Sequence, residues 1–318
     1  MNLSVRTWQE VIRRDYLEDY IRAGGASVKF AIGANEAVRA ELRESLRVAA
    51  EENGYRFVFI DAAATQVHLI DKLFHAVARQ IDWDGLVTSF LTRLLTEQGL
   101  ALPAIPDDLN LTVMSELNDR SEPLFRNEVS RLVERTLLRD YEMSQAFRIA
   151  MIQLCQARLD PDYDPALAVS IKEWLRGELR LISAVKRALI FQKIARHNAR
   201  HMLSSLAHWL TVAGSSGLVL CLDISRFLVT KPRAEREAGV YYSTPAALDG
   251  YEVLRQLVDA TDELEYCFVG VIASPEFLSD QRRGLETYRA LYFRIADEVR
   301  DRYQANPLAS LARIRASD

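Results

Sequence analysis

Short apolar runs alternate with longer amphipathic stretches over much of the chain. Residues 28–32 are apolar except for Lys29, and Gly33-Ala34-Asn35 follows. The 3.6-residue spacing of apolar positions over 36–53, closed by Gly54, predicts a helix with a glycine C-cap. Residues 57–61 form a second short run that ends in Asp61. Two such strands joined by a helix of that length predict a parallel pair with a crossover helix. Residues 67–157 carry a helical pattern broken at Gly85, Gly99, Pro103, Pro106 and Pro123. A turn at 160–165 precedes 171–213, which reads as one or two long helices broken near Gly177 or Ser183.

Strand patterning returns at 217–223, an apolar run opened by Gly217 and ended by Asp223. A polar loop over 226–244 and a helix over 245–264 lead to a buried strand at 266–273, ending before Ser274-Pro275. Residues 276–304 read as helix and 309–314 as a last short strand. Strands apolar on both faces, alternating with helices, predict a parallel α/β sheet covered on both sides. The domain reading is an α/β part at 1–81, a helical insertion at 82–165 and a second α/β part at 166–318.

Composition narrows the class. The 318 residues are 49% hydrophobic and 26% charged, which fits a globular chain. Forty Lys and Arg against 44 Asp and Glu leave a net charge of −4, so no global basic excess points to nucleic acid. No apolar run approaches the roughly 18 residues of a membrane span, and charges at 1–20 argue against a signal peptide. The expectation is a cytoplasmic protein without a membrane role. Cys155, Cys221 and Cys267 are far apart and form no CxxC, which predicts reduced, buried thiols rather than disulfides or zinc. His197 and His201 stand four apart, but with no third ligand in view a solvated helix face outweighs a metal site. No metal is expected.

In parallel sheets ligands bind beyond the carboxyl ends of the strands, so Gly33, Asp223 and Ser274 mark the candidate site. A phosphate loop reads Gly-x-x-x-x-Gly-Lys-Ser/Thr. The register from Gly33 places Val38, Arg39 and Ala40 at its last three positions. Arg39 keeps the charge of the lysine without its reach, and Ala40 supplies no hydroxyl for Mg²⁺. Asp223 matches the carboxylate that holds Mg²⁺ in such sites, yet Ile224 follows it rather than Glu. An ordinary strand–helix junction and a strand-end cap explain the same residues equally well.

Residues 171–301 carry a resemblance to bacterial P-loop ATP-binding proteins of BREX-type phage-defence systems. It rests on Glu173-Trp174-Leu175-Arg176-Gly177-Glu178, the run 217–223, and Tyr251-Glu252-Val253-Leu254-Arg255-Gln256-Leu257-Val258-Asp259. Ala273-Ser274-Pro275-Glu276-Phe277-Leu278, Arg283-Gly284-Leu285, Tyr288-Arg289-Ala290-Leu291 and Arg294-Ile295 continue it, and Gly24-Gly25 fits it. The resemblance covers most of the chain outside roughly 82–160 and implies an AAA+-like fold. Its five parallel strands, counted along the chain, lie in the order 5-1-4-3-2. A large helical insertion and the absence of a C-terminal lid domain complete that expectation. Where the family shows Gly-Lys-Ser/Thr and Asp-Glu, this chain shows Val38-Arg39-Ala40 and Asp223-Ile224.

The resulting expectation is a catalytically degenerate AAA+-like subunit of an anti-phage complex, with no catalytic residues and a vestigial nucleotide site at Gly33, Arg39, Asp223 and Ser274. Neither ATP nor Mg²⁺ is expected as a cofactor. The alternatives are an ATP-binding sensor or weak ATPase, and a DNA-binding adaptor. The expected partners are other defence proteins in a hetero-oligomer, with an ATP-competent or nucleic-acid-processing subunit among them. By analogy Arg294 is a candidate arginine finger, set against an ordinary surface ion pair. Residues 171–201 hold eight cations against two acids. Lys186, Arg187, Lys193, Arg196 and Arg200 of that stretch, with Lys231, Arg233 and Arg236, are candidate DNA or partner contacts. The stretch lacks interleaved aromatics, which favours a solvated face or an acidic protein over DNA.

Overall fold

The computed structural model describes residues 3–229, 239–296 and 306–316. The chain forms two compact units, one of Met1–Val77 with Ser216–Asp318 and the other of Ala78–Ser215. The sequence reading set the insertion at 82–165.

The first unit is built on an all-parallel sheet of β1 (Leu3–Ser4), β2 (Ala26–Gly33), β3 (Arg56–Asp61), β4 (Leu218–Asp223), β5 (Cys267–Ala273) and β6 (Leu311–Arg315). Its order is β1-β6-β2-β5-β4-β3. The five expected strands keep their expected order. The sixth, Leu3–Ser4, pairs with Ile314 and Arg315 at the edge. Two residues carry too little pattern to be read as a strand.

Every residue of β5 is buried, and so is nearly all of β2 and β4, as a sheet covered on both faces requires. One face is sealed by α1 (Val5–Val11), the π-helical turns at Ile12–Tyr20 that continue it, and α2 (Glu36–Glu52). The wider π-helical turn keeps Ile12, Leu17 and Ile21 on one buried side, packed with Leu42, Leu46 and Phe268. On the other face, Phe30 stacks on Phe277 with ring centroids 6.1 Å apart, and Tyr251 packs edge-on against Phe277.

The second unit is helical, comprising α4 (Trp83–Glu97), α5 (Leu111–Leu117), α6 (Glu122–Leu138), α7 (Gln145–Leu159), α8 (Pro165–Arg176) and α9 (Ala199–Val212), while α3 (Ile70–Ala78) lies at the boundary. Its core includes Trp83, Phe147, Phe90 and Trp209. The reading of 171–213 as one or two long helices keeps its expected break near Gly177 and is corrected over 177–198, where no α-helix forms. α8 stops at Gly177, which adopts φ +72°, and 3₁₀ turns at Ile182–Ala188 separate it from α9. The single helix expected over 276–304 is also corrected. Its described part is broken into α11 (Glu276–Ser279), a 3₁₀ turn at Leu285–Thr287 and α12 (Arg289–Ile295), with α10 (Thr244–Asp259) preceding β5. Asp280 causes the first break, because its carboxylate turns back to the Arg282 and Arg283 N–H groups at 2.7 and 2.9 Å. No helix among the described residues is long and apolar enough to cross a membrane.

Candidate functional site

The strand register brings the carboxyl ends of the central strands level. Asp61 pairs with Asp223, Asp223 with Ile272, and Ile32 with Ala273. Beyond them lies a cleft of about 650 Å³ whose lining includes Asn35, Glu36, Arg39, Asp61, Asp223, Arg226, Ser274 and Glu276. Three of the four residues singled out for a nucleotide site thus meet at one place. The fourth, Gly33, lies directly beneath Arg39: a Cβ there would come within 2.6 Å of Arg39 Cγ.

Ala34 and Asn35 alone connect β2 to α2. Asn35 caps the helix, its Oδ1 accepting from the Val38 N–H at 3.0 Å. Its carbonyl accepts the Arg39 N–H at 3.1 Å. Val38 is buried in the core cluster with Leu42 and Ile272. Arg39 extends along the cleft floor with its side chain largely covered and pairs with Glu36 one turn back. Its Nε is buried without a hydrogen-bond partner.

The lining places four carboxylates against two guanidiniums. Burial raises the affinity of Asp223 for its proton. The Ser225 backbone N–H at 2.9 Å and the Arg39 charge oppose that rise, while neighbouring Asp61 adds to it. Glu276 is held below the usual carboxylate range by a hydrogen bond from Ser274, with Arg39 contributing. Asp61 accepts the Ala63 N–H at 2.6 Å. Among the described residues no group of three or more His, Cys, Asp or Glu stands close enough to hold a metal ion.

One wall is fixed by a residue whose role the sequence did not disclose. Arg283 is buried, and its Nη1 donates to the carbonyls of Phe227, Val229 and Tyr242 at 3.2, 3.3 and 2.9 Å. Tyr251 in turn donates to the Arg283 carbonyl at 2.5 Å. Tyr242 donates to the Thr65 carbonyl and accepts the Val67 N–H, which ties this wall to the segment after β3. Asp61 and Glu276 were also missed as site residues. The strand-end position of Asp61 was the available signal, whereas Glu276 enters through the turn at Ser274-Pro275.

The remaining candidates lie elsewhere. Arg294 pairs with Asp259, and its Nη1 donates to the Ala290 carbonyl. Lys186 and Arg187 lie on the 3₁₀ turns, where Arg187 pairs with Asp164. Lys193 donates to the Arg180 carbonyl, Arg196 precedes α9, and Arg200 is on it. Lys231, Arg233 and Arg236 fall outside the described residues. Phe191 in this stretch is 63% exposed, an aromatic that the reading of the charge pattern overlooked. The three cysteines are free and buried, with Cys221 and Cys267 on neighbouring strands.

A family model for BREX system ATP-binding protein BrxC/D matches residues 5–316. A search of curated proteins finds no match, and a search of solved structures finds none either. With the match running from α1 through β6, the chain belongs to the BREX system ATP-binding protein BrxC/D family, and so to a defence system in which it works beside other proteins.

Proposed function

We propose that this chain is a non-hydrolysing AAA+-like subunit that acts in assembly or recognition within its BREX system. The observation that carries this reading is the strand–helix junction. A phosphate loop offers free N–H groups to an anion at the helix start. Here Asn35 takes the Val38 N–H, and Arg39 is folded back onto Glu36. The residues at the cleft do not fit Mg²⁺ and a triphosphate. Val38 is core, Ala40 has no hydroxyl, and four carboxylates face two guanidiniums where a polyanion would sit.

Hetero-assembly with an ATP-competent or nucleic-acid-processing subunit, in the cytoplasm, completes the proposal. Loss of Lys and hydroxyl contacts removes charge-assisted bonds of roughly 1.5–3 kcal/mol each. Millimolar ATP·Mg²⁺ is therefore expected to leave the melting temperature unchanged, with no phosphate release above buffer. Co-expressed proteins of the same system should co-purify with the chain. A saturable thermal shift with ATP·Mg²⁺ would replace this reading by a second one, nucleotide sensing. That second reading is favoured by an apolar slot of about 340 Å³ formed by Ile32, Pro275, Leu278 and Ile314, which shares Ala34 and Pro275 with the cleft.

A further inference from the structure

Neither the cleft nor the core uses the outward side of the segment between α8 and α9. From residue 179 to residue 222 the sequence contains no Asp or Glu. The segment is nonetheless well anchored. Val185, Ala188, Ile190 and Ile194 are buried. Trp174 Nε1 donates to the Gln192 carbonyl at 2.8 Å, and Lys193 Nζ donates to the Arg180 carbonyl at 2.9 Å. These two bonds fold the chain back, so that 192–193 lies beside 174 and 180.

On this fixed scaffold three large apolar side chains point outward. Leu181, Phe191 and Leu189 are 71%, 63% and 61% exposed. Leu189 also adopts φ +61°, ψ +27°, a left-handed conformation that suits glycine and disfavours leucine. Neither core packing nor backbone preference accounts for a leucine there. Among the described residues no ion pair engages Arg180, Lys186 or Arg196.

We propose that this segment is a docking surface for an acidic protein face, with Leu181, Leu189 and Phe191 as apolar anchors and Arg180, Lys186 and Arg196 as a cationic rim. Apolar anchors inside a charged rim are the usual anatomy of a protein interface. Charge complementarity fixes the partner's sign, because no acid of the segment neutralises its cations. Nucleic acid fits less well. It would use the cations and stack on Phe191, but it would leave Leu181 and Leu189 against water. The inference rests on the assembly reading above and names the surface that assembly would use.

The test uses the full chain, tagged and co-expressed with the other proteins of its own BREX system. Leu189→Gly relieves the left-handed strain and removes one anchor, so its melting temperature should equal or exceed that of the wild type. Phe191→Ser removes a second anchor, and the double variant Lys186→Glu/Arg196→Glu inverts the rim. Each is expected to lower the co-purified partner about tenfold or more. A photo-crosslinking residue at 191 should capture that same partner, and Leu124→Ser, on exposed α6, should leave its yield unchanged. If partners co-purify equally well with all three surface variants, the docking surface is overturned and the assembly reading survives. If no system protein co-purifies with the wild type, both fall. A labelled 30-mer DNA that binds the wild type, fails to bind the rim variant and is unaffected by Leu189→Gly would assign the segment to nucleic acid and overturn the proposal.

Discussion

Lys29 shows how one residue sets a pH dependence. It lies in β2, is 6% exposed, and has no carboxylate partner among the described residues. Its ammonium donates to the Leu308 carbonyl at 2.6 Å and sits 4.7 Å from the Tyr16 ring centroid. Burial pushes it down from its ordinary value near 10.5 to about 8. Unfolding restores the higher value, so between pH 8 and 10.5 the unfolded chain binds more protons than the folded one. Stability contributed by this site therefore rises with pH across that window. Urea unfolding at pH 7.5 and 9.5 should show the wild type gaining on Lys29→Met by on the order of 2 kcal/mol. Parallel pH curves for the two proteins would refute it. The lysine interrupting an apolar run was plain in the sequence. Its carbonyl partner, 279 residues away, was not, since nothing local encodes such a pairing.

At the scale of elements, the strands were legible because buried parallel strands are short and apolar throughout. Their order came through the family resemblance. The helical stretches over 171–213 and 276–304 break where side chains or backbone satisfy each other locally, at Gly177 as expected and after Ser279 against expectation. Gly177 ends α8 in the left-handed region, and Asp280 turns the chain after α11. The site was half legible. Gly33, Arg39, Asp223 and Ser274 could be placed from strand ends, but the Arg283 clamp depends on three carbonyls that carry no sequence signature. That clamp makes a prediction. Arg283→Met strands buried acceptors and should cost about 3 kcal/mol or more in chemical denaturation. Amide exchange should accelerate at 225–229 and 240–242 well before it does in β4. Unchanged exchange in those segments would show that the clamp holds nothing in place.

The whole molecule comprises a sheet unit interrupted by a helical one. The helical unit has its own buried aromatics, among them Trp83, Phe125, Phe147 and Trp209, so it meets the main requirement for folding alone. A fragment of residues 78–215 should give a helical spectrum and a single cooperative melt. A broad, non-cooperative melt would mean that its core is completed by the rest of the chain. Its extent was hard to read because amphipathic helices bury similar stripes whichever unit they join.

The register of the sheet has a consequence for the order of events during synthesis. β2 is made early, yet its two neighbours are β5 and β6, and Ala26 pairs with Cys267. A ribosome must deliver more than two hundred further residues before that strand finds any partner. The helical unit emerges meanwhile with its own contacts local in sequence, and local contacts form fast. During that interval the apolar Phe30-Ala31-Ile32 stands as an unpaired strand, the kind of surface that draws chaperones or invites aggregation. Slowing translation after β6 should then change little, whereas slowing it between β2 and β5 is expected to lower the soluble yield in a heterologous host.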